Sequence, residues 1–350
     1  MRVALVSPNP SSDGGGVERF CNMLRSCLEV RGHDAVVVGP ADGQTGADIV
    51  VTNGMTGWSH DRKAVRVHVY HGSWPSHVLR GGLDGSSRRS SLRRLLQGAV
   101  AEFRAGVGAD RVAVSASAKC EVRRWYGLNS TVIENGVDTS VFRPGDRESA
   151  KLAVGLDVSR RYALFVGRPE KRKGGVLALQ VAAKVGVDLL HAGYPQLPNS
   201  IWLGALSPTE LATALVASDV VILPSFYEGC SFAVLEALAS GTPLVSTSTG
   251  WIPDLVQAVP EFNRYVVQPG DLSGLILAAH RALGDEPSVQ QQAHSVVCRD
   301  NSVEAFGNRW LRFLELALES RSAPERRLLG LSRSGTRWRN RGLTDRGSVP

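Results

Sequence analysis

The chain has 350 residues, about the length of two domains, and 43% of them are apolar, which excludes a wholly disordered protein. No apolar run approaches the ~18 to 20 residues that cross a bilayer, and the short N-terminal run predicts a buried strand rather than a signal peptide. The net charge of +7 arises mainly in residues 321–350, where eight arginines against two acidic residues give a surplus of six, so whole-surface nucleic-acid binding is disfavoured.

Short β-branched runs alternate with longer helical patterns along most of the chain, which indicates βαβ units on parallel sheets. A first series of strands is predicted at 3–7, 35–38, 49–52, 65–70 and 112–115, with its clearest helices at 16–31, 90–104 and 116–125. A second series is predicted at 163–166, 188–192, 201–203, 220–223, 244–246 and 264–267. Each series has the size of one doubly wound α/β domain, with a polar linker at 143–161 between them.

These patterns divide the chain into four parts. Residues 1–145 and 146–300 are predicted to form two Rossmann-like domains. Residues 301–320 are predicted to form an amphipathic helix whose apolar face needs a partner. Residues 321–350 are predicted to be a disordered basic tail, because apolar periodicity fades there. Five cysteines without metal-ligand spacing indicate reduced thiols in a cytoplasmic protein.

A glycine-rich turn follows the first predicted strand and opens a helix. Gly15 and Gly16 allow backbone N–H groups to approach a phosphate, and the helix N-terminus adds partial positive charge. The turn lacks the Gly-x-Gly-x-x-Gly spacing of dinucleotide-binding proteins. A ligand-binding loop and a tight structural turn are therefore equal alternatives.

A second, stronger signal begins at the end of the strand predicted at 163–166. The segment that follows contains Arg168 and three consecutive cations, Lys171, Arg172 and Lys173. Cations at a strand end ahead of a helix suit a pyrophosphate, because Arg binds two oxygens at once and Lys adds a point charge. The alternative is an exposed basic turn.

Two glutamates follow the strand predicted at 220–223. Glu228 lies in the loop, and Glu236 lies in a helix that is expected to begin near Ser231 with that hydroxyl as its N-cap. Glu236 has apolar neighbours, among which an ionised carboxylate needs a hydrogen-bonding partner. A structural salt bridge and the paired hydroxyls of a ribose satisfy this need equally well.

These residues resemble the family 4 glycosyltransferases, which have the GT-B fold of two Rossmann-like domains facing a central cleft. The most specific element is Glu228, then seven residues, then Glu236 followed by Ala and, further on, by a Gly-x-Pro at 241–243. Two other elements match the family pattern in order along the chain: 133–138 with 142–144, and Gly167-Arg168 with Lys173-Gly174. The resemblance extends over roughly residues 1–318.

The resemblance implies that the matched residues bind a nucleotide diphosphate sugar. Arg168 and Lys173 would bind its pyrophosphate and stabilise the charge on the leaving nucleotide. Glu228 would bind the sugar hydroxyls and Glu236 the ribose. The resemblance also places His71 near the sugar and the last helix against the first domain. Catalytic roles thus fall to His71, Arg168, Lys173 and Glu228, and further donor contacts fall to Gly15, Gly16, Gly167, Gly229, Ser231 and Phe232.

The resemblance further implies transfer with retention of anomeric configuration, in which the departing phosphate helps to remove the acceptor proton. We therefore expect a hexose-type sugar to pass to a hydroxyl of a saccharide, lipid or small metabolite. No cofactor is expected, and no metal, since the chain has no Asp-x-Asp pair. A nucleotide-sugar epimerase of the same fold and a non-catalytic nucleotide-sugar-binding protein are the alternatives.

One loop departs from the family pattern. After Pro243 the family often has two glycines and a glutamate, whereas here Gly250 is followed by Trp251 and the acidic residue is Asp254. That loop usually lies near the donor, so the departure concerns the choice of donor.

Two groups of residues in the first domain suggest an acceptor or a membrane surface. Trp58 and Trp74 are expected in loops that face the cleft, where an indole can stack on an acceptor, although plain packing is as good an interpretation. A basic helical segment with interspersed leucines, and the basic tail, fit peripheral contact with the inner face of a membrane, whereas a solvated helix face is favoured. The arginines of that segment are Arg88, Arg89, Arg93 and Arg94.

Overall fold

A computed structural model describes residues 1–10, 15–57, 61, 63–81, 88–284 and 287–322. Trp58, residues 11–14 of the glycine-rich turn and residues 323–350 of the tail lie outside the described residues, as do the side chains of Arg88 and Arg89. The described residues form two six-stranded parallel sheets with intervening helices, which confirms the predicted α/β class.

The first sheet has its strands in the order β2-β1-β3-β4-β5-β6. These strands are β1 (Arg2–Val6), β2 (Asp34–Val38), β3 (Ile49–Asn53), β4 (Val65–Tyr70), β5 (Asp110–Ala113) and β6 (Thr131–Val132). Their helices are α1 (Gly16–Glu29), α2 (Trp74–Ser76), a π-helical turn (His77–Gly81), α3 (Arg88–Gly106) and α4 (Ala116–Tyr126). The strand order reverses between β1 and β3, so a crevice opens at the carboxyl ends of these strands.

The second sheet has the order β9-β8-β7-β10-β11-β12. These strands are β7 (Tyr162–Val166), β8 (Asp188–Ala192), β9 (Ile201–Gly204), β10 (Val220–Leu223), β11 (Leu244–Thr247) and β12 (Val266–Val267). The connecting helices are α5 (Arg147–Ala153), a 3₁₀ turn (Lys171–Lys173), α6 (Gly175–Val185), α7 (Pro208–Ala217), α8 (Phe232–Ala239), α9 (Ile252–Ala258), a second 3₁₀ turn (Pro260–Tyr265), α10 (Leu272–Gly284) and α11 (Ser288–Asp300). This is the 3-2-1-4-5-6 order of a Rossmann sheet, with its switch point between β7 and β10.

The last helix, α12 (Val303–Ser322), lies against α1 of the first domain. Its Trp310 and Phe306 rings pack edge-on to Phe20, with centroids 5.4 and 6.0 Å away. Arg31 donates a 2.8 Å hydrogen bond to Asn308 at the margin of this contact. These buried rings account for the apolar face that the periodicity indicates.

Three local features differ from the sequence interpretation. The polar linker contains a helix, α5, because the Asp146 carboxylate accepts a 2.8 Å hydrogen bond from the Ser149 N–H and caps it. The two-residue strand β6 is too short to show a periodicity in the sequence. The segment predicted as a strand from 264 is a 3₁₀ turn up to Tyr265, so β12 contains only Val266 and Val267.

Two general features limit the types of site that the described part of the chain contains. None of its helices combines the length and the apolar character that crossing a membrane requires. Across the same residues, no three His, Cys, Asp or Glu side chains converge as a group that would hold a metal ion.

Candidate functional site

The loops after β7 and β10 meet at the switch point of the second sheet. Gly174 has a φ of +73°, and a Cβ at this position would lie 2.3 Å from the Pro224 carbonyl oxygen. Only glycine combines this backbone conformation with so close an approach. The tight crossing brings the basic segment after β7 beside the loop that carries Glu228.

Glu228 forms an ion pair with Lys173 across this crossing. The Lys173 Nζ lies 2.7 Å from the Glu228 Oε1, and an Arg172 nitrogen lies 3.8 Å from the same oxygen. Burial alone would raise the pKa of Glu228, but the two cations outweigh it and hold that pKa below its usual range. Glu228 is therefore an ionised acceptor of hydrogen bonds at neutral pH.

The four cations after β7 have different surroundings. Arg172 donates to the Tyr227 carbonyl at 3.1 Å and pairs with Glu170 at 2.7 Å, so it holds the loop after β10 in place. Arg168 and Lys171 are exposed, and no described residue forms an ion pair with either of them. Arg168 thus remains available to a ligand, whereas Lys173 already has a carboxylate partner.

Glu236 lies inside α8 with 1% of its side chain exposed, and it pairs with Arg19 from α1 of the other domain. The Arg19 guanidinium also lies 4.7 Å from the centroid of the Phe232 ring. Burial lowers the pKa of Arg19 to about 10, so Arg19 is charged at neutral pH. The second oxygen of Glu236, Oε2, has no hydrogen-bond partner among the described residues. The salt bridge thus occupies one oxygen of this carboxylate and leaves the other to accept a hydrogen bond from a ligand.

The position of Ser231 is as predicted, but its role as a side-chain cap is not. Ser231 is the N-cap residue of α8 with an extended backbone, yet its hydroxyl makes no hydrogen bond to the helix. The prediction of a hydroxyl N-cap is therefore wrong. The first N–H groups of α8 lack this side-chain acceptor, so they retain donor capacity for an anion.

His71 follows β4 and contacts Asn53 at the end of β3. The Asn53 amide nitrogen donates to the Val6 carbonyl at 2.9 Å, so its oxygen accepts the 2.8 Å hydrogen bond from the His71 Nε2. This pairing assigns the proton to Nε2 and leaves Nδ1 unprotonated, with a lone pair that can accept a hydrogen bond. Burial lowers the pKa of His71 to about 4, so the ring is neutral at physiological pH.

The two domains touch directly at this point of the cleft. A Cβ at Gly229 would lie 2.1 Å from the His71 carbonyl oxygen. The Tyr227 hydroxyl accepts a 2.6 Å hydrogen bond from the Ser73 N–H. The same hydroxyl donates a 2.8 Å hydrogen bond to the Glu121 carboxylate. The contact therefore involves main chain as well as side chains.

Two further hydrogen bonds join the domains. The Asp254 carboxylate accepts from the Ala116 N–H at 3.1 Å, and the Asn135 amide donates to the Cys230 carbonyl at 2.7 Å. Burial raises the pKa of Asp254, although this hydrogen bond opposes the change. Asp254, the residue at which the loop departs from the family pattern, thus joins the two domains at the N-terminal end of α4.

The glycine-rich turn and Trp74 are placed differently with respect to the cleft. Gly15 is the N-cap residue of α1, and a Cβ on Gly16 would meet no atom of the described residues within 4 Å, so these residues leave room for a ligand there. The Trp74 indole donates to the Arg94 carbonyl at 3.0 Å and stacks on His77 with a 5.5 Å centroid distance. These are the contacts of a packed side chain, which favours the packing interpretation of Trp74.

Burial of Glu102 beneath Trp74 makes the stability of the first domain depend on pH. Glu102 is 5% exposed and accepts a 2.7 Å hydrogen bond from the Trp74 N–H, and burial raises its pKa to about 7. A raised pKa contributes stability that is present below the unfolded pKa and lost as the pH rises through about 7. Compared with the native protein, Glu102→Gln should therefore gain on the order of 2 to 3 kcal/mol in free energy of unfolding between pH 5 and pH 8. Urea unfolding at both pH values measures this, and an equal difference at both would contradict it.

Sequence reasoning missed three side chains that the fold brings to the site: Arg19, Tyr227 and Glu121. Arg19 lies in the first turn of the helix that the glycine-rich turn opens, next to the buried Phe20, and this position was a usable signal. Tyr227 and Glu121 had none, because their contact exists only when the two domains meet.

Comparisons with known proteins agree with this architecture. Residues 160–285 match the family model described as "Glycosyl transferases group 1". D-inositol 3-phosphate glycosyltransferase from Mycobacterium tuberculosis is 33% identical over 232 residues, which cover 59% of this chain and 47% of that protein. The chain thus spans about half the length of the curated relatives it matches.

Solved structures with the same fold cover nearly the whole chain. Sucrose-phosphate synthase from Thermosynechococcus elongatus has a TM-score of 0.76 at 19% identity, covering 91% of this chain and 99% of that one. HepE from Anabaena, in complex with UDP-glucose, has a TM-score of 0.67 at 16% identity, covering 90% and 100%. These likenesses confirm the GT-B fold.

Proposed function

We propose that this chain, whose residues 160–285 match the model of the glycosyl transferases group 1 family, is a retaining glycosyltransferase of family 4. It would move a hexose-type sugar from a nucleotide diphosphate to an acceptor hydroxyl without a metal or cofactor. The observation that carries the proposal is the pair of carboxylates, the partly buried Glu228 and the buried Glu236, beside cationic and N–H groups at the switch point of a Rossmann sheet.

The donor's parts correspond to distinct groups in this site. Arg168 and the N–H groups at the start of α8 would bind the diphosphate, with Lys173 adding charge. Oε2 of Glu236 would accept a hydrogen bond from a ribose hydroxyl, and Glu228 would accept from the sugar. Gly167, Gly229 and the Gly15–Gly16 turn would allow the ligand to approach the backbone closely.

The proposed reaction needs no protein general base. The acceptor oxygen would bond to the anomeric carbon on the face from which the phosphate oxygen leaves, so that configuration is retained. The acceptor proton would pass to an oxygen of the departing diphosphate. Arg168 and Lys173 would stabilise the negative charge that develops there.

Domain motion is part of the proposal, because the donor sugar would lie where the Gly229 backbone now contacts the His71 carbonyl. The domains would separate to admit the donor and then close over it, and closure would limit hydrolysis. His71 would present its free Nδ1 or its carbonyl oxygen to the sugar from the first domain.

A transfer assay with radiolabelled nucleotide sugars tests this function. UDP-glucose is the first donor to try, because HepE was solved with it, and an inositol phosphate is the first acceptor, because of the name of the relatives. We expect acceptor-dependent release of nucleotide diphosphate that persists in EDTA, with retention of anomeric configuration in the product by proton NMR. An altered donor sugar without transfer would indicate the epimerase, and binding without turnover would indicate the binding protein.

We also propose peripheral contact with an anionic membrane through α3. Four large apolar side chains recur at helical spacing on its exposed face, with at least 38% of each exposed, and two exposed arginines lie among them. This combination is typical of a helix that rests on a lipid surface. The residues are Leu92, Leu96, Val100, Phe103, Arg93 and Arg94.

Sedimentation with vesicles tests the membrane contact. The full chain should sediment with phosphatidylglycerol vesicles and less so with phosphatidylcholine, and salt should weaken the binding because exposed charges are screened. A Leu92→Asp/Leu96→Asp variant should lose binding even at low salt. Equal recovery in the supernatant with and without vesicles would rule the contact out.

A further inference from the structure

A groove on the first domain lies outside the donor site. It runs between α4 and the segment formed by α2 and the π-helical turn, and its volume is about 410 Å³, within the range of small-molecule sites. Apolar, cationic, acidic and thiol side chains line it. Those used below are Leu79, Arg80, Cys120, Glu121, Arg124 and Trp125.

The lining of the groove combines an apolar wall with two guanidinium groups. Leu79 is 62% exposed and Trp125 is 41% exposed, although both are large apolar residues. The Arg124 guanidinium lies 5.9 Å from the centroid of the Trp125 ring. Arg80 pairs with Glu121 at 3.4 Å, but its side chain is 57% exposed. Because the guanidinium is exposed, water screens its attraction to the largely buried Glu121, so Arg80 remains available to an anion.

Glu121 links the groove to the donor site. Its Oε2 accepts hydrogen bonds from the Tyr227 hydroxyl at 2.8 Å and from the Ser73 hydroxyl at 3.0 Å. Tyr227 immediately precedes Glu228, and Ser73 lies two residues after His71. A single layer of hydrogen-bonded side chains therefore separates the groove from the residues proposed to surround the donor sugar.

We infer that this groove binds the phosphorylated part of the acceptor. Two guanidinium groups suit the oxygens of a phosphomonoester, which they bind through charge-assisted and often paired hydrogen bonds. The faces of Trp125 and Leu79 suit the carbon skeleton next to that phosphate. The acceptor hydroxyl would then extend past Glu121 toward His71. The assignment of the ligand as acceptor rests on the proposed function.

Protection of the Cys120 thiol from alkylation tests the groove without any transfer reaction. Cys120 is exposed and lines the groove, whereas Cys21, Cys27 and Cys230 are buried. The full chain is treated with iodoacetamide, and the rate at each cysteine is followed by peptide mass spectrometry. Glucose 6-phosphate should slow labelling of Cys120 saturably, and glucose at the same concentration should not.

Variants on either side of the groove make the test specific. Arg80→Ala and Arg124→Ala should each raise the glucose 6-phosphate concentration for half-protection about tenfold or more, as loss of a charge-assisted hydrogen bond predicts. Arg123→Ala is the matched control, since Arg123 is exposed on the same helix and does not line the groove. Each rate is normalised to that of the same variant without ligand.

Three results would overturn the inference. The first is protection by glucose 6-phosphate no greater than that by glucose, and the second is protection that neither substitution changes. The third is equal protection by inorganic phosphate, which would indicate an anion site without acceptor recognition. Because alkylation needs no nucleotide sugar, a negative transfer assay and an absence of ligand binding in the groove are distinguishable.

Discussion

Replacing Arg168 and Lys173 together by alanine should lower turnover by at least about a thousandfold and weaken binding of the nucleotide sugar. Each fixed cation that stabilises charge on a leaving group contributes on the order of a hundredfold or more to the rate. Arg168 is exposed just after the end of β7. Lys173 lies in the 3₁₀ turn that follows, with its Nζ 2.7 Å from Glu228 Oε1. The measurements are initial rates with saturating acceptor and donor affinity by calorimetry.

The two cations should differ when they are replaced singly. Arg168 forms no ion pair with a carboxylate among the described residues, so the effect of Arg168→Ala reports on donor binding alone. Lys173→Ala also removes the nearest cation from Glu228, and we expect the pKa of Glu228 to rise toward the value that its burial favours. Lys171→Ala is the matched control, an exposed cation on the same turn, and should retain activity. Unchanged affinity and turnover in a folded double variant would refute the donor assignment.

Removal of Arg19 should have the second largest effect, because it leaves the carboxylate of Glu236 buried without a charged partner. Breaking a buried ion pair costs about 3 to 5 kcal/mol, and we expect the lower end here since the Arg19 side chain is 36% exposed. Arg19→Met should therefore lower the thermal midpoint markedly. Arg25→Ala provides the control, because Arg25 is on the same helix and its ion pair among the described residues is the exposed one with Glu29.

A double-mutant cycle separates the salt bridge from donor binding. Glu236→Gln removes the buried charge, so combining it with Arg19→Met should recover part of the lost stability. Donor affinity should fall about tenfold or more both in the single Glu236→Gln variant and in the double variant, since the ribose loses a charged acceptor in each. Strictly additive changes in stability would show that Arg19 and Glu236 are not coupled.

The sequence predicts the elements of this fold better than the contacts between them. Alternating strand and helix patterns identify ten of the twelve strands in the described part of the chain closely enough to place Arg168 and Glu228 at strand ends, where Rossmann sheets bind ligands. The pairing of Lys173 with Glu228 depends on β7 and β10 being neighbours, which follows from strand order and not from local periodicity. Both residues are therefore identifiable from motifs, whereas their mutual contact is not.

Interdomain contacts lie beyond sequence reasoning for a related reason. The need of Glu236 for a partner follows from its apolar neighbours, but which partner it takes depends on how α1 and α8 face each other. The Ser231 hydroxyl illustrates the limit at short range, because residue preference predicts the N-cap position and not the hydrogen bond. Asp254 is likewise identifiable from the sequence as the acidic residue of the loop after Pro243. Its hydrogen bond from the Ala116 N–H, however, depends on the position of the other domain.

The contact between Gly229 and the His71 carbonyl also restricts which substitutions the cleft tolerates. A single methyl group at position 229 would lie 2.1 Å from that oxygen, less than any van der Waals separation. It would therefore push the two domains apart sterically. Gly229→Ala would thus favour an open conformation of the two domains while leaving every charged side chain of the cleft intact. Such a variant offers a means of crystallising the protein with its crevice accessible to soaked compounds.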